Sequence, residues 1–291
     1  MNYSIQNQRM ALTVSTRGAE MQSLKLDNRE YLWQGDPRYW KNRATNLFPY
    51  VGRLTDDSWQ IHGKAYPMIK HGFAKLNEFT LEKQDSSSMT FALHETDETM
   101  KMFPYPFQFR LTYTLNENTL TITAQVHNGS QDERMFFGYG AHPGFNCPLD
   151  ENTSFEDYVL EFSDACHPRQ VLANDAAYLT GSSAAYPLED DRRIPLRHDL
   201  FDHDAVILEE TSREVTLRSD RSPHYVKLSF PQMPYFAFWH ANCTDAPYVC
   251  MEPWASLPSR ADIVEEASAK SDLLTLGPQE DYTCTWSVTL G

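Results

Sequence analysis

The stretch Phe107-Gln108-Phe109-Arg110-Leu111-Thr112-Tyr113-Thr114-Leu115-Asn116-Glu117-Asn118-Thr119-Leu120-Thr121-Ile122-Thr123-Ala124-Gln125-Val126 decides how this chain folds. Phe107, Phe109, Leu111, Tyr113 and Leu115 alternate with Gln108, Arg110, Thr112 and Thr114. After the turn Asn116-Glu117-Asn118-Thr119 the alternation resumes at Leu120, Ile122, Ala124 and Val126. Successive side chains of a strand point to opposite faces, so a period of two predicts an antiparallel hairpin with one face on a core and one in water. The last residues repeat the pattern, with Tyr282, Cys284, Trp286, Val288 and Leu290 against Thr283, Thr285, Ser287 and Thr289. Shorter strands are predicted at Met10–Val14, Met89–Leu93, Tyr158–Phe162, Val215–Leu217, Tyr225–Phe230 and Tyr235–Trp239. Helical periodicity is scarce. Its best case is Ser259–Lys270, where Ser259 and Asp262 open a capping box. The Ala-, Ser- and Asp-rich stretch Asn174–Arg193 reads as a long loop between strands. With strands at both ends, and no repeat or linker between them, residues 1–291 are expected to form a single domain. Its predicted class is all-β, a large antiparallel β-sandwich with few short helices.

Composition narrows the function. The 291 residues hold 25 Lys+Arg and 40 Asp+Glu, a net charge of −15. That balance disfavours a non-specific nucleic-acid or anionic-membrane binder, which needs clustered positive charge. No apolar run approaches the ~20 residues that span a bilayer. The stretch Met1–Asn7 has no basic and apolar signal-peptide pattern, so the expected compartment is the cytoplasm. The five cysteines, Cys147, Cys166, Cys243, Cys250 and Cys284, show no C-x-x-C spacing and read as reduced thiols, mostly packed as small apolar groups.

Function is sought in the irregular segments, since loops on a rigid sheet scaffold usually carry the site. Four of them concentrate polar groups among aromatics, Gly and Pro: Asn46–Leu54 with Arg53, Lys70–Ala74 with His71, Tyr139–Asn146 with His142, and Cys250–Trp254 with Glu252. Glu252 is the sharpest. It follows the near-apolar run Tyr248–Met251 and precedes Pro253-Trp254, which puts a carboxylate at the end of a buried strand, where it is costly unless paired or used. No H-E-x-x-H, G-x-S-x-G, Walker loop or G-x-G-x-x-G occurs, and no close ligand spacing supports a metal.

In order and spacing these segments resemble the aldose 1-epimerases, or galactose mutarotases, and within them a compact branch whose members mostly lack an assigned substrate. The resemblance runs over nearly the whole chain and implies a large antiparallel β-sandwich. It implies that Gly52-Arg53 carries the sugar-binding arginine, that His71-Gly72 carries the first site histidine, and that Ala141-His142-Pro143 carries the general acid. Ala141 stands where the family more often has Asn. Phe201-Asp202-His203-Asp204 is similar to the segment whose aspartate binds sugar hydroxyls; both Asp202 and Asp204 are candidates. Glu252 resembles the general base.

The implied activity is cofactor-independent interconversion of the α and β anomers of an aldose. A carboxylate would remove the C1 hydroxyl proton while an imidazolium protonates the ring oxygen. Trp33, Trp239 and Trp254 are candidates for an apolar platform under the sugar. The expected partner is a small sugar, bound by a monomer or homodimer without metal, nucleic acid or membrane. Two alternatives remain: a hexose-6-phosphate 1-epimerase, which needs cations for the phosphate, and a catalytically silent carbohydrate-binding protein. Arg38, Lys41 and Arg43 are the upstream cations that could serve a phosphate. Because Asp36 offsets one of them, only Arg53 is expected to reach the sugar, and a neutral hexose is the expected substrate.

Overall fold

The computed structural model describes residues 1–291. The hairpin read from the sequence forms over its full length, from Phe107 opposite Asn128 to Asn116 opposite Thr119. It lies within an antiparallel nine-stranded sheet. In spatial order the strands are Arg193–Pro195, Val159–Phe162, Glu214–Arg218, Val226–Ser229, Asp281–Leu290, Thr119–Asn128, Phe107–Asn116, Ser88–His94 and Thr80–Gln84. The alternation is realised as predicted. Phe107, Phe109, Leu111, Tyr113, Leu115, Ile122 and Val126 are buried, while the other face carries threonine pairs such as Thr90–Thr112 (3.0 Å) and Thr119–Thr289 (2.9 Å).

A seven-stranded antiparallel sheet packs against the first. Its order is Leu179–Ala185, Arg169–Ala173, Val206–Glu209, Tyr235–Trp239, Tyr248–Trp254, Gly140–Asn146 and Ala44–Leu47. A four-stranded sheet over Asn2–Glu30 joins them, and one cluster of 68 buried apolar residues draws on all three. This is the expected large β-sandwich. The one α-helix is a single turn, Asp97–Met100, capped by Thr96. No helix is long and apolar enough to cross a membrane.

Two local expectations are corrected. Ser259–Lys270 is not helical, because its polar groups bond elsewhere in the fold. Ser259 Oγ bonds Tyr50 Oη (2.9 Å), Ala261 N donates to Leu179 O, and Ala267 N donates to Gln60 O. Tertiary pairing outweighs a weak propensity. Asn174–Arg193 is not all loop. Leu179–Ala185 forms the edge strand of the seven-stranded sheet, paired with Arg169–Ala173. Its side chains after Leu179 are mostly exposed, so no alternating apolar face marked it.

Two glycines let the loops at one end of the seven-stranded sheet close on each other. Gly52 and Gly72 both have left-handed backbones, with φ of 77° and 69°. A Cβ on Gly72 would lie 2.2 Å from the carbonyl oxygen of Phe48. The expected outcome for Gly72→Ala is a loss of at least about 2 kcal/mol in urea unfolding, from backbone strain plus that clash. A variant as stable as its parent would show that this approach is not tight.

Candidate active site

The period of two that builds the core also builds the site. In the seven-stranded sheet Ala141, Leu208, Phe236, Phe238, Val249 and Met251 face the large core. The alternate residues form the other face. There Thr45 stands opposite His142, Glu252 opposite Ala237, and Ala237 opposite Ile207. The register that pairs Gly140 with Trp254 and Gly144 with Cys250 sets His142 across from Glu252. Five neighbouring strands thus contribute one row, Thr45–His142–Glu252–Ala237–Ile207. A small apolar cluster flanks this row on each side, one with Leu47, Val171 and Trp254, the other with Trp33, Tyr248 and Cys250.

Over the row lies a cavity of ≈ 280 Å³. Its lining includes Trp40, Thr45, Arg53, Lys70, His71, Lys75, His142, Asp204, Trp239, Glu252 and Trp254. Loops bring the groups that are not on the row. His71 sits at φ 67°, and its N–H donates to Gly52 O (2.8 Å) while Gly52 N–H donates to its Nδ1 (3.1 Å). A ring nitrogen that accepts carries no proton, so neutral His71 presents Nε2–H as a donor. Asp204, at φ 83°, follows the 3₁₀ turn His198–Phe201 and lines the cavity. The indole of Trp40 stacks on His142, with centroids 4.7 Å apart and planes 23° from parallel.

Burial governs the charges. Glu252 Oε2 lies 3.4 Å from His142 Nε2, and the two side chains are 1% and 10% exposed. Oε2 of Glu252 and Nδ1 of His142 are buried without a hydrogen-bond partner. Burial pushes the Glu252 carboxyl well above the usual carboxylate range, with Lys70 the main opposing influence. Burial, and then the charges of Lys70 and Lys75, push His142 down to about 3. His71 is driven well below its ordinary value, chiefly by burial. The pair therefore holds one proton between two groups over a wide pH range, and its titration belongs to the pair. The free site favours neutral imidazole and neutral carboxyl, rather than the imidazolium expected from the sequence.

The cavity gathers most of the expected residues: Arg53, His71, His142, Asp204, Glu252, Trp239 and Trp254. Asp202 is not among them. It caps the 3₁₀ turn and stays exposed, so Asp204 is the aspartate that meets the cavity. Trp33 lies outside as well, stacked on Tyr248 (4.6 Å), with its indole N–H donating to Trp40 O. Arg38, Lys41 and Arg43 do not line the cavity either; Arg38 pairs with Asp36. Sequence reasoning missed Trp40, Thr45, Lys70 and Lys75. The signal for Lys70 was its adjacency to His71, whereas Thr45 needed the strand register.

Cys147 is buried in the large core, and burial raises its thiol well above the ordinary value, so it is no nucleophile for this cavity. Cys250 comes closer. With His142 and Glu252 it places sulfur, nitrogen and oxygen donors within 4.8 Å of one another, the one set here that a metal ion could share. All five cysteines are unpaired.

A cavity over one face of an antiparallel β-sandwich, holding a buried carboxyl and an imidazole side by side, has the layout of an acid–base site for a small molecule. A profile of the aldose 1-epimerase family matches residues 1–289, and the chain belongs to that family. Protein LacX (plasmid form) of Lactococcus lactis subsp. lactis is 34% identical over 289 residues, covering 95% of this chain and 96% of LacX. A galactose mutarotase related enzyme from Lactobacillus acidophilus superposes with a TM-score of 0.94 at 34% identity, covering 100% of this chain and 97% of that one. A galactose mutarotase-like protein from Lactobacillus casei superposes at 0.95 with 31% identity, over 100% of both chains.

Burying Glu252 has a stability cost with a definite pH sign. Its folded pKa lies above the unfolded value of about 4.3, so the native state loses stability relative to the unfolded chain as pH rises through and above that value. Glu252→Gln should therefore raise Tm, and the gain should widen between pH 5 and pH 8, by about 2–4 °C for each kcal/mol. Calorimetric melting of both proteins across that range measures it. A gain that does not grow with pH would contradict the assignment of a raised pKa.

Proposed function

We propose that this chain is a cofactor-independent aldose 1-epimerase, acting as one domain through Glu252 and His142. One observation carries the reading: two buried acid–base groups, each with an unsatisfied polar atom, stand side by side on the row beneath a cavity of sugar size.

Ring opening breaks the C1–ring oxygen bond. Glu252 takes the proton of the C1 hydroxyl, His142 gives one to the ring oxygen, and the product is the open-chain aldehyde. Rotation about C1–C2 and reversal of both transfers recloses the ring on the other face. Before opening, the pair must be carboxylate and imidazolium; afterwards it is carboxyl and neutral imidazole. The proton count is unchanged. Burial of the pair favours the neutral form, and so favours the proton transfers that open the ring. Lys70, by lowering the Glu252 pKa, limits how far the resting base is lost.

Other groups position the sugar. His71 offers Nε2–H, Asp204 accepts from hydroxyls remote from C1, and Trp40, Trp239 and Trp254 give apolar walls around the ring face. The steps use protein side chains alone. Family membership supports an isomerase of this kind, and the short distance between acid and base favours it over a silent sugar-binding protein.

The test is polarimetry on freshly dissolved α-glucose or α-galactose. The protein should accelerate equilibration, and treatment with a chelator should change nothing. Glu252→Gln should slow the reaction by at least about 10², because the amide cannot accept the proton, and His142→Asn should act similarly. Glu252→Gln protein of normal activity would sink the assignment.

A further inference from the structure

The charge of the cavity runs against that of the protein. In a chain of net charge −15, the cavity collects Arg53, Lys70 and Lys75 against only two carboxylates, Asp204 and Glu252. Glu252 is held toward its neutral form, which leaves three cations facing one reliable anion. None of the three forms an ion pair. Lys75 Nζ donates to the carbonyl oxygen of its neighbour Lys70 (2.7 Å), and Arg53 is exposed at the mouth. Both lysines are partly desolvated, and Lys75 is pushed down to about 8 by burial and by Lys70. Partly desolvated cations that outnumber the acids near them are unfavourable unless a ligand supplies the missing counter-charge.

Their location on the ring can be read as well. Lys70 adjoins His71 in the chain, Lys75 Nζ bonds the Lys70 carbonyl (2.7 Å), and the His71 ring stands 5.6 Å from the ring of His142. That is the side of the site assigned to the ring oxygen, whose neighbour in a hexose is C5, bearing C6. We propose that the substrate is an aldose with an anionic group at C6, a phosphate monoester or a carboxylate, bound by Lys70 and Lys75 with Arg53 at the mouth. This rests on the mutarotase reading for the orientation of the ring. It reverses the expectation of a neutral hexose, which weighed Arg38, Lys41, Arg43 and Arg53 but not Lys70 and Lys75.

The experiment compares kcat/KM for glucose and galactose, their 6-phosphates and the matching hexuronates, at low and high salt. An anionic sugar should be preferred by about tenfold or more at low salt, since charge-assisted bonds are roughly twice as strong as neutral ones, and the preference should shrink as salt rises. The 6-phosphate and hexuronate arms separate the two sources of charge. Lys75→Met should cut the anionic-to-neutral ratio by about tenfold. Lys75→Arg, which keeps the cation, should retain most of it. Equal use of neutral and anionic sugars, or a ratio unmoved by Lys75→Met, overturns the proposal.

Calorimetric binding of the same sugars to Glu252→Gln protein separates it from the mutarotase reading. Salt-sensitive binding of the anionic sugar without turnover of any sugar by the unaltered protein would refute that reading and leave the anion site standing. Turnover of neutral sugars with no anion preference would do the reverse.

Discussion

The site depends on one constraint: Tyr248–Trp254 is buried on both faces. Most antiparallel strands turn one face to water, and such a strand would leave Glu252 solvated. Here all seven residues of the strand are buried. The core takes Val249 and Met251, while Glu252 and Cys250 lie on the other face beneath a second layer of loops and tryptophans. A carboxyl in that position is buried, and its Oε2 has no hydrogen-bond partner. Its protonation equilibrium is therefore set by burial first, opposed by Lys70 and reinforced by Asp204.

Several costs fall on the residues around that carboxyl. His71 and Asp204 hold left-handed backbones, and an αL conformation at a non-glycine residue costs on the order of 1–3 kcal/mol. His142 and Trp254 keep buried polar atoms unsatisfied. No strand of the nine-stranded sheet holds a buried side-chain atom without a partner, and its outer face carries threonine pairs. The large core of 68 residues supplies the stability that the site spends. The division matches the general pattern in which strain and unmet polar groups mark the working part of a fold.

Much of the fold was legible in the sequence. The hairpin from Phe107 to Val126, the last strand and the run Tyr235–Trp239 all formed within a residue or two of their predicted bounds. Such strands carry an apolar stripe on one face, and that stripe is a local signal. Leu179–Ala185 was illegible because an exposed edge strand has no stripe, and Ser259–Lys270 misled because its backbone partners are far away in sequence. Arg53, His71, His142 and Glu252 stood out as polar groups in apolar or glycine-rich surroundings, and the cavity brings all four together.

The sequence alone determined which residues alternate, which segments are irregular and which carboxyl must be buried, because these follow from side-chain periodicity and local composition. The tertiary structure decided which irregular segments meet. Register alone sets Thr45 and His142 across from each other and aligns His142 with Glu252. Asp204, with a left-handed backbone, lines the cavity while Asp202, two residues earlier, stays exposed. Lys70 already stood beside His71 in the chain, but only the fold brought it and Lys75 onto the same cavity as His142 and Glu252. Neighbours across a sheet or between loops are set by long-range pairing, which no local pattern encodes.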